Sequence, residues 1–285
     1  MIVEPNRPFR WNLVRPDRLG TLLDGAREPD LWFLDELVAC MAKVVARCGD
    51  GELHFVGRSL DSGYDLLSGI LSGTTWLERL HQLPLSLNGF EALFGELGHT
   101  EVAQLRANLG EAGLAPADLA RGRRPVVFVD IVSSGRTFEK LHRHLRSWAD
   151  EERAAWNVIR RGLRFLGVTC RQRTSPKTWR WQQHAPWTDG LPARSIRNVS
   201  LDPGVFSYFA NRQHKLTPSF ARWFWADHRV RVPDHDPVTL ETLAEAVAVV
   251  EAGRAAGTRN EFVRHLVREP AMAQPWLRDL VHRLR

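Results

Sequence analysis

The sequence predicts an α/β protein with a doubly wound, mainly parallel sheet, and three observations carry that expectation. Short apolar runs alternate with stretches of helical spacing from about residue 52 to residue 170. The run Val126 to Val129 is continuously apolar, as suits a strand buried on both faces. Two such runs end in small polar loops, GRS at 57–59 and SSGRT at 133–137, and a helical pattern follows each loop.

Each element follows in order. PDLWFLDELVACMAKVVAR (30–48) sets Leu34, Leu37, Val38, Met41, Val44 and Val45 at spacings of three and four, which predicts a helix packed on a core. Cys48 to Gly51 make a turn, Leu53 to Val56 a strand, and a second helix begins near Asp61. LPLSLN (83–88) reads as a second strand that its proline confines to an edge or a start. Residues 89–124 then form a long insertion that includes the helical stretch HTEVAQLRANLGEAG. After the strand at 126–130, FEKLHRHLRSW places Phe138, Leu141, Leu145 and Trp148 on one helical face. EERAAWNVIRRG predicts another helix and LRFLGVT (163–169) a fourth strand. TWRWQQH and SIRNVS read as strands of a smaller subdomain, and an aromatic-rich segment leads to three helical patterns from about Asp236 onward. The resulting organisation is an N-terminal helical extension at 1–50, an α/β core at 51–215 and a C-terminal helical region at 216–285.

Composition limits the function classes. At 285 residues, with 44% hydrophobic and 25% charged, the chain has the make-up of a soluble globular protein, and no apolar run matches a membrane span. MIVEPNRPFRW lacks the basic-then-apolar pattern of a secretory signal, so a cytoplasmic protein is expected. Cys40, Cys48 and Cys170 form no CxxC pair and no Cys/His ligand spacing, which argues against a disulfide framework and a zinc site. The net charge of +6 suits an anionic ligand, while the basic residues are dispersed, so nucleic acid is allowed but not indicated.

The chemistry concentrates in PVVFVDIVSSGRT (125–137). A strand that ends in a Ser/Gly/Thr loop and opens a helix aims backbone N–H groups and the positive end of the helix dipole at one point, which makes an anion site. Ser133, Ser134 and Thr137 add hydroxyl donors, Gly135 permits close backbone approach and Arg136 adds charge; the plainer alternative is a capped turn. Asp130, at the end of a buried strand, is costly to desolvate unless it meets a cation, donors or a sugar hydroxyl. Together they suggest a sugar phosphate. GRSLDSG at 57–63 is open between a Ser-capped helix start and a second phosphate loop, and neither a GxxxxGK[ST] nor a GxGxxG pattern occurs.

VFVDIVSSGRT resembles the phosphoribosyl pyrophosphate (PRPP) motif of type I phosphoribosyltransferases, which runs from an apolar strand through two acids and two apolar residues to a hydroxyl-rich loop with Gly and Thr. Asp130 matches the second acid, Ser133, Ser134, Gly135, Arg136 and Thr137 match the 5′-phosphate loop, and Val129 stands where the family has its first acid. HFVGRSLDSGYDLL fits the place of the pyrophosphate loop, with Gly57, Arg58 and Ser59 as its contacts, and 89–124 fits the loop that precedes the motif strand. The resemblance covers roughly residues 30–210, with the specific part confined to the motif.

The resemblance implies a core of the phosphoribosyltransferase type with a small variable hood and added N- and C-terminal helices. It implies transfer of ribose 5-phosphate from PRPP to a small-molecule acceptor with release of pyrophosphate, as in nucleotide metabolism. Magnesium would travel with PRPP and water, without direct protein ligation. Asp130 would take the catalytic position, and a homodimer is compatible with the reading. For the acceptor, Asp202, Tyr208 and Lys215 are candidate contacts, and Trp179, Trp181, Phe206, Tyr208 and Phe209 a candidate stacking wall. A PRPP- or nucleotide-sensing regulator on the same fold and a phosphatase or nucleotide-binding protein sharing only the anion site remain alternatives.

Overall fold

The computed structural model of the chain describes residues 4–87, 97–217, 220 and 231–285. Its centre is a five-stranded sheet of β1 (Glu52–Val56), β2 (Leu80–Leu83), β3 (Val126–Ile131), β4 (Leu163–Cys170) and β5 (Ile196–Leu201), in the order β2-β1-β3-β4-β5. All four pairings are parallel. The chain leaves β1 for β2 on one side and then passes back beyond β1 to β3. The switch point between the two directions therefore lies at the carboxyl ends of β1 and β3, the place where open α/β sheets bind ligands.

Strand alternation divides the interior into two layers. On one face Leu53, Phe55, Val127, Val129, Leu166, Val168, Val199 and Leu201 pack against α1 (Leu34–Arg47), α2 (Asp61–Ile70) and the C-terminal helices. On the other, Val56, Leu83, Phe128, Leu163 and Phe165 meet α3 (His99–Glu111), α4 (Pro116–Arg121), α5 (Arg136–Glu151) and α6 (Trp156–Gly162). The predicted doubly wound α/β class and each of the helices at 34–47, 99–111 and 136–151 are thus present.

After a short α7 (Pro203–Ser207) and a π-helical turn at Tyr208–Arg212 come α8 (Pro237–Arg254), α9 (Ala256–Val267) and α10 (Pro275–Leu284). Asp236 caps α8 by accepting from the N–H groups of Val238 (2.8 Å) and Thr239 (3.1 Å), with Pro237 at the first helical position. Phe262, Leu266, Leu277, Leu280 and Leu284 belong to the same core layer as α1 and the sheet. The N-terminal segment is tied down as well: Leu13 and Leu19 pack with Leu243 and Val250, and Arg254 donates to the carbonyl of Val14 (2.5 Å). No helix among the described residues is long and apolar enough to cross a membrane.

Four expectations are corrected. The second strand is 80–83 rather than 83–88, because Pro84 has no N–H to give the ladder. TWRWQQH forms no strand: Trp181–His184 is a 3₁₀ turn, and only an isolated bridge joins Arg171 to Thr178. SIRNVS is the fifth strand of the main sheet, paired with β4, rather than part of a separate subdomain. The helix expected over EERAAWNVIRRG is shorter, starting at Trp156. Parts of the 89–124 insertion and of the aromatic-rich segment, 88–96, 218–219 and 221–230, lie outside the described residues.

Candidate anion-binding site

A pocket of about 390 Å³ opens at the switch point. Its floor comes from Gly57, Arg58 and Ser59 after β1 and from Asp130, Ile131 and Thr137 around the tip of β3. Leu85 to Leu87 after β2 form one wall, and Asn211, Gln213, Lys215 and Phe220 form the other. The structure thus brings together six residues singled out from the sequence: Gly57, Arg58, Ser59, Asp130, Thr137 and Lys215.

The backbone prepares this end of the sheet for negative charge. Neither α2, which follows the β1 loop, nor α5, which follows the β3 loop, has a side-chain cap at its first turn. Both helices start at the carboxyl end of the sheet, so their positive ends lie beside the pocket. Gly57 has φ +73, a left-handed conformation that an L side chain adopts only with strain, and it turns the chain from β1 into the Arg58 loop.

Two cations line the pocket. Arg58 is positioned by donating from Nη1 to the carbonyl of Thr217 (2.8 Å), and Lys215 by donating from Nζ to Oε1 of Gln213 (2.7 Å). Gln213 in turn donates to Ser62 Oγ (2.7 Å) and Glu245 Oε1 (2.6 Å). Burial pushes Lys215 down to about 8, opposed by Asp61, Glu245 and Asp130, so at pH 7 it is chiefly an ammonium in a dry setting.

Asp130 is 6% exposed, and burial pushes its carboxyl up to about 8. The N–H of Ile131, the Thr137 hydroxyl and the charge of Lys215 oppose that rise without cancelling it. The group is therefore mostly a neutral acid at pH 7. Val129, the residue before Asp130, is fully buried in the layer under α1 and α2. Strand alternation turns it away from Asp130, into the core.

The rest of the β3 loop is held from behind. Ser133, Ser134 and Arg136 are exposed beside the pocket rather than in its lining. The Ser133 carbonyl accepts from Trp179 Nε1 (2.7 Å). Gly135 has φ +79, and a Cβ there would lie 2.3 Å from Trp181 Cε3. Its close approach is thus to the Trp181 indole rather than to open pocket, a correction to the expected role. On the other side of the ring, a Cβ on Gly167 would lie 2.7 Å from Trp181 Nε1, which donates to Asn198 Oδ1 (2.8 Å).

Other acceptor candidates fall outside the pocket. Asp202 caps α7, accepting from Gly204 N (2.8 Å), and Tyr208 donates its hydroxyl to Glu245 Oε2 (2.7 Å) while stacking on Phe33. Trp181 and Phe209 are fully buried and Trp179 braces the loop, so the expected aromatic wall is core and scaffold; Phe206 packs on the core under α1.

Sequence reading missed three polar residues behind the site. Asp61 lies within electrostatic reach of Arg10, Lys215 and Arg58, and burial raises its pKa. Arg10 reaches both Asp61 (3.5 Å) and Asp65 (2.8 Å) from the N-terminal segment. Asp65 is pushed up by burial to about 7, with Arg10 opposing. Their i, i+4 spacing was visible, but the arrival of Arg10 was a tertiary event.

No family model, curated protein or solved structure matches the chain.

Proposed function

We propose that the chain binds PRPP at the switch-point pocket and transfers its ribose 5-phosphate to a small acceptor. The observation that carries this reading is the convergence of Arg58, Lys215 and the hydrogen-bonded pair Asp130–Thr137 on one pocket between two uncapped helix starts. A ligand with an anionic group at each end and a polyol between them fits that distribution.

In this reading the amino end of α5, with Thr137 and the exposed Ser133 and Ser134 beside it, holds the 5′-phosphate. Arg58 and the 57–59 backbone hold the pyrophosphate, and Asp130 faces the ribose. The bond between ribose C1 and the pyrophosphate oxygen breaks with its electron pair going to pyrophosphate, and the acceptor nucleophile bonds to C1. Charge develops as an oxocarbenium ion at the sugar and as added negative charge on the leaving group. Arg58 and Lys215 lower the second cost, and an ionised Asp130 the first. Among the described lining residues Asp130 is the one carboxyl group, so in this reading magnesium enters as part of the substrate.

The test is direct. Magnesium–PRPP raises the melting temperature of the full chain in proportion to its affinity, and Arg58→Ala and Lys215→Met each weaken binding about tenfold or more. Unchanged melting at millimolar PRPP sinks the reading. The neutral state of Asp130 and the apolar Val129 favour a second reading, a PRPP-sensing regulator without turnover. Pyrophosphate release with a panel of bases and amines separates the two: release supports transfer, and binding without release supports the sensor.

A further inference from the structure

At the opposite end of β1 from the pocket, Glu52, His54 and His81 form a cluster that the sugar-phosphate reading does not use. Glu52 and His54 are two apart on β1 and so share a face, and the parallel register sets His54 directly beside His81 of the edge strand β2. One ligand atom from each of the three lies within 4.8 Å of the others. His81 Nε2 is 3.5 Å from Glu52 Oε2, and the two imidazoles stack at 4.5 Å between centroids.

The buried histidine holds a polar atom that nothing in the described residues satisfies. His54 is 2% exposed, and its Nδ1 has no hydrogen-bond partner among the described residues; Nε2 of His81 is also buried and faces the Glu52 carboxylate. An orphaned imidazole nitrogen under a helical layer is costly, and the cost is relieved if the nitrogen has an electron-pair acceptor. Glu52 is half-exposed, and among the described residues its one other ion-pair partner is Arg124, at 4.0 Å. The carboxylate is therefore free to serve, and the side of the cluster toward Glu52 and His81 opens to solvent.

We propose that Glu52, His54 and His81 bind a divalent transition metal of the zinc class, with water completing the coordination. Two imidazoles and a carboxylate are the borderline donor set that zinc, cobalt and nickel take, whereas magnesium prefers oxygen ligands alone. A tetrahedral site with bonds of about 2.1 Å needs ligand atoms about 3.4 Å apart, so the cluster is nearly preformed and closes by small side-chain adjustments. A metal here pins the four-residue edge strand β2 to β1.

The experiment uses the full chain, free of any affinity tag and stripped with a chelator. Titration with cobalt(II), followed by visible d–d absorption, and with zinc, followed by calorimetry, is expected to saturate at one equivalent, with excess magnesium unable to compete. His81→Ala and Glu52→Gln, both at half-exposed positions, are expected to weaken binding about tenfold or more. Their metal-free circular dichroism and melting should match the wild type, which separates ligand loss from misfolding. His99→Ala, on the surface of α3, is expected to bind as the wild type does. Absence of a saturable equivalent overturns the proposal, as does binding in both cluster variants within about twofold of wild type, which would locate the metal on other histidines. The outcome is independent of PRPP binding, since metal uptake is read without substrate.

Discussion

At the residue scale, Asp130 and Lys215 set opposite pH dependences. The folded pKa of Asp130, about 8, lies above its ordinary 3.8, so the fold favours the protonated acid. Its stabilising effect is complete below the ordinary value and is lost as pH rises toward 8. Lys215, pushed down from 10.5 to about 8, acts conversely: the folded chain gains stability as pH rises from 8 toward 10.5. These two groups therefore contribute a stability minimum near pH 8. In urea unfolding across pH 5 to 10, Asp130→Asn should flatten the falling limb and Lys215→Met the rising limb, the steepest slope for one proton being about 1.4 kcal/mol per pH unit. A falling limb unchanged in Asp130→Asn would show that another group carries it. Gly135→Val makes a different point: it drives a side chain into Trp181 at positive φ and should cost several kcal/mol, about 3 or more, before any ligand is added. The serines and Gly135 were legible as a loop because small residues break an apolar strand, while Thr137 falls in the first turn of α5. The partner of Gly135 was not legible, since Trp181 lies far along the chain and meets it only through the fold.

At the element scale, helices α2 and α8 cross at a pair of glycines. A Cβ on Gly69 would lie 2.2 Å from the carbonyl oxygen of Val250, and one on Gly253 would lie 2.5 Å from that of Leu66. Backbone touches backbone, so neither contact yields by turning a side chain. Gly69→Ala and Gly253→Ala should each destabilise by about 1–3 kcal/mol, despite a helix-propensity gain of about 1 kcal/mol. Gly110 in α3 supplies the contrast: nothing lies within 4 Å of its added Cβ, and Gly110→Ala should stabilise by up to about 1 kcal/mol. Chemical denaturation of the three variants checks both signs. Helical spacing announced α1, α5 and α8, but it could not say which glycine sits at a crossing, because periodicity describes one helix and a crossing involves two. The edge strand β2 was displaced by a few residues for a related reason. LHQL has little apolar pattern of its own, and its assignment to the sheet comes from pairing with β1.

At the scale of the whole molecule, the C-terminal helices are part of the same interior as the sheet. Phe262, Leu266, Leu277 and Leu280 are fully buried in the layer that also holds Leu37, Met41 and Phe55. Deleting 237–285 should therefore expose that layer and abolish cooperative unfolding of the remainder, while the intact chain melts in a single transition. Two separate transitions by calorimetry in the intact chain would contradict it. The charge balance behaves similarly. Many basic residues are spent in exposed pairs one helical turn apart, such as Arg143 with Glu139 and Arg146 with Asp150. Such pairs are worth little. Arg58 and Lys215 converge on one pocket from segments far apart in sequence, which gives part of the +6 excess a location.

The sequence by itself determined the alternation of strand and helix, the layered α/β class and a turn at 133–135 ahead of a helix, because each is written in the spacing of neighbouring side chains. Tertiary structure alone decided the strand order that creates the switch point, the burial that keeps Asp130 neutral, the turning of Val129 into the core and the meeting of Glu52 and His54 with His81. Pairing, desolvation and charge convergence depend on which distant segments become neighbours, and that is set by the packing of the whole chain.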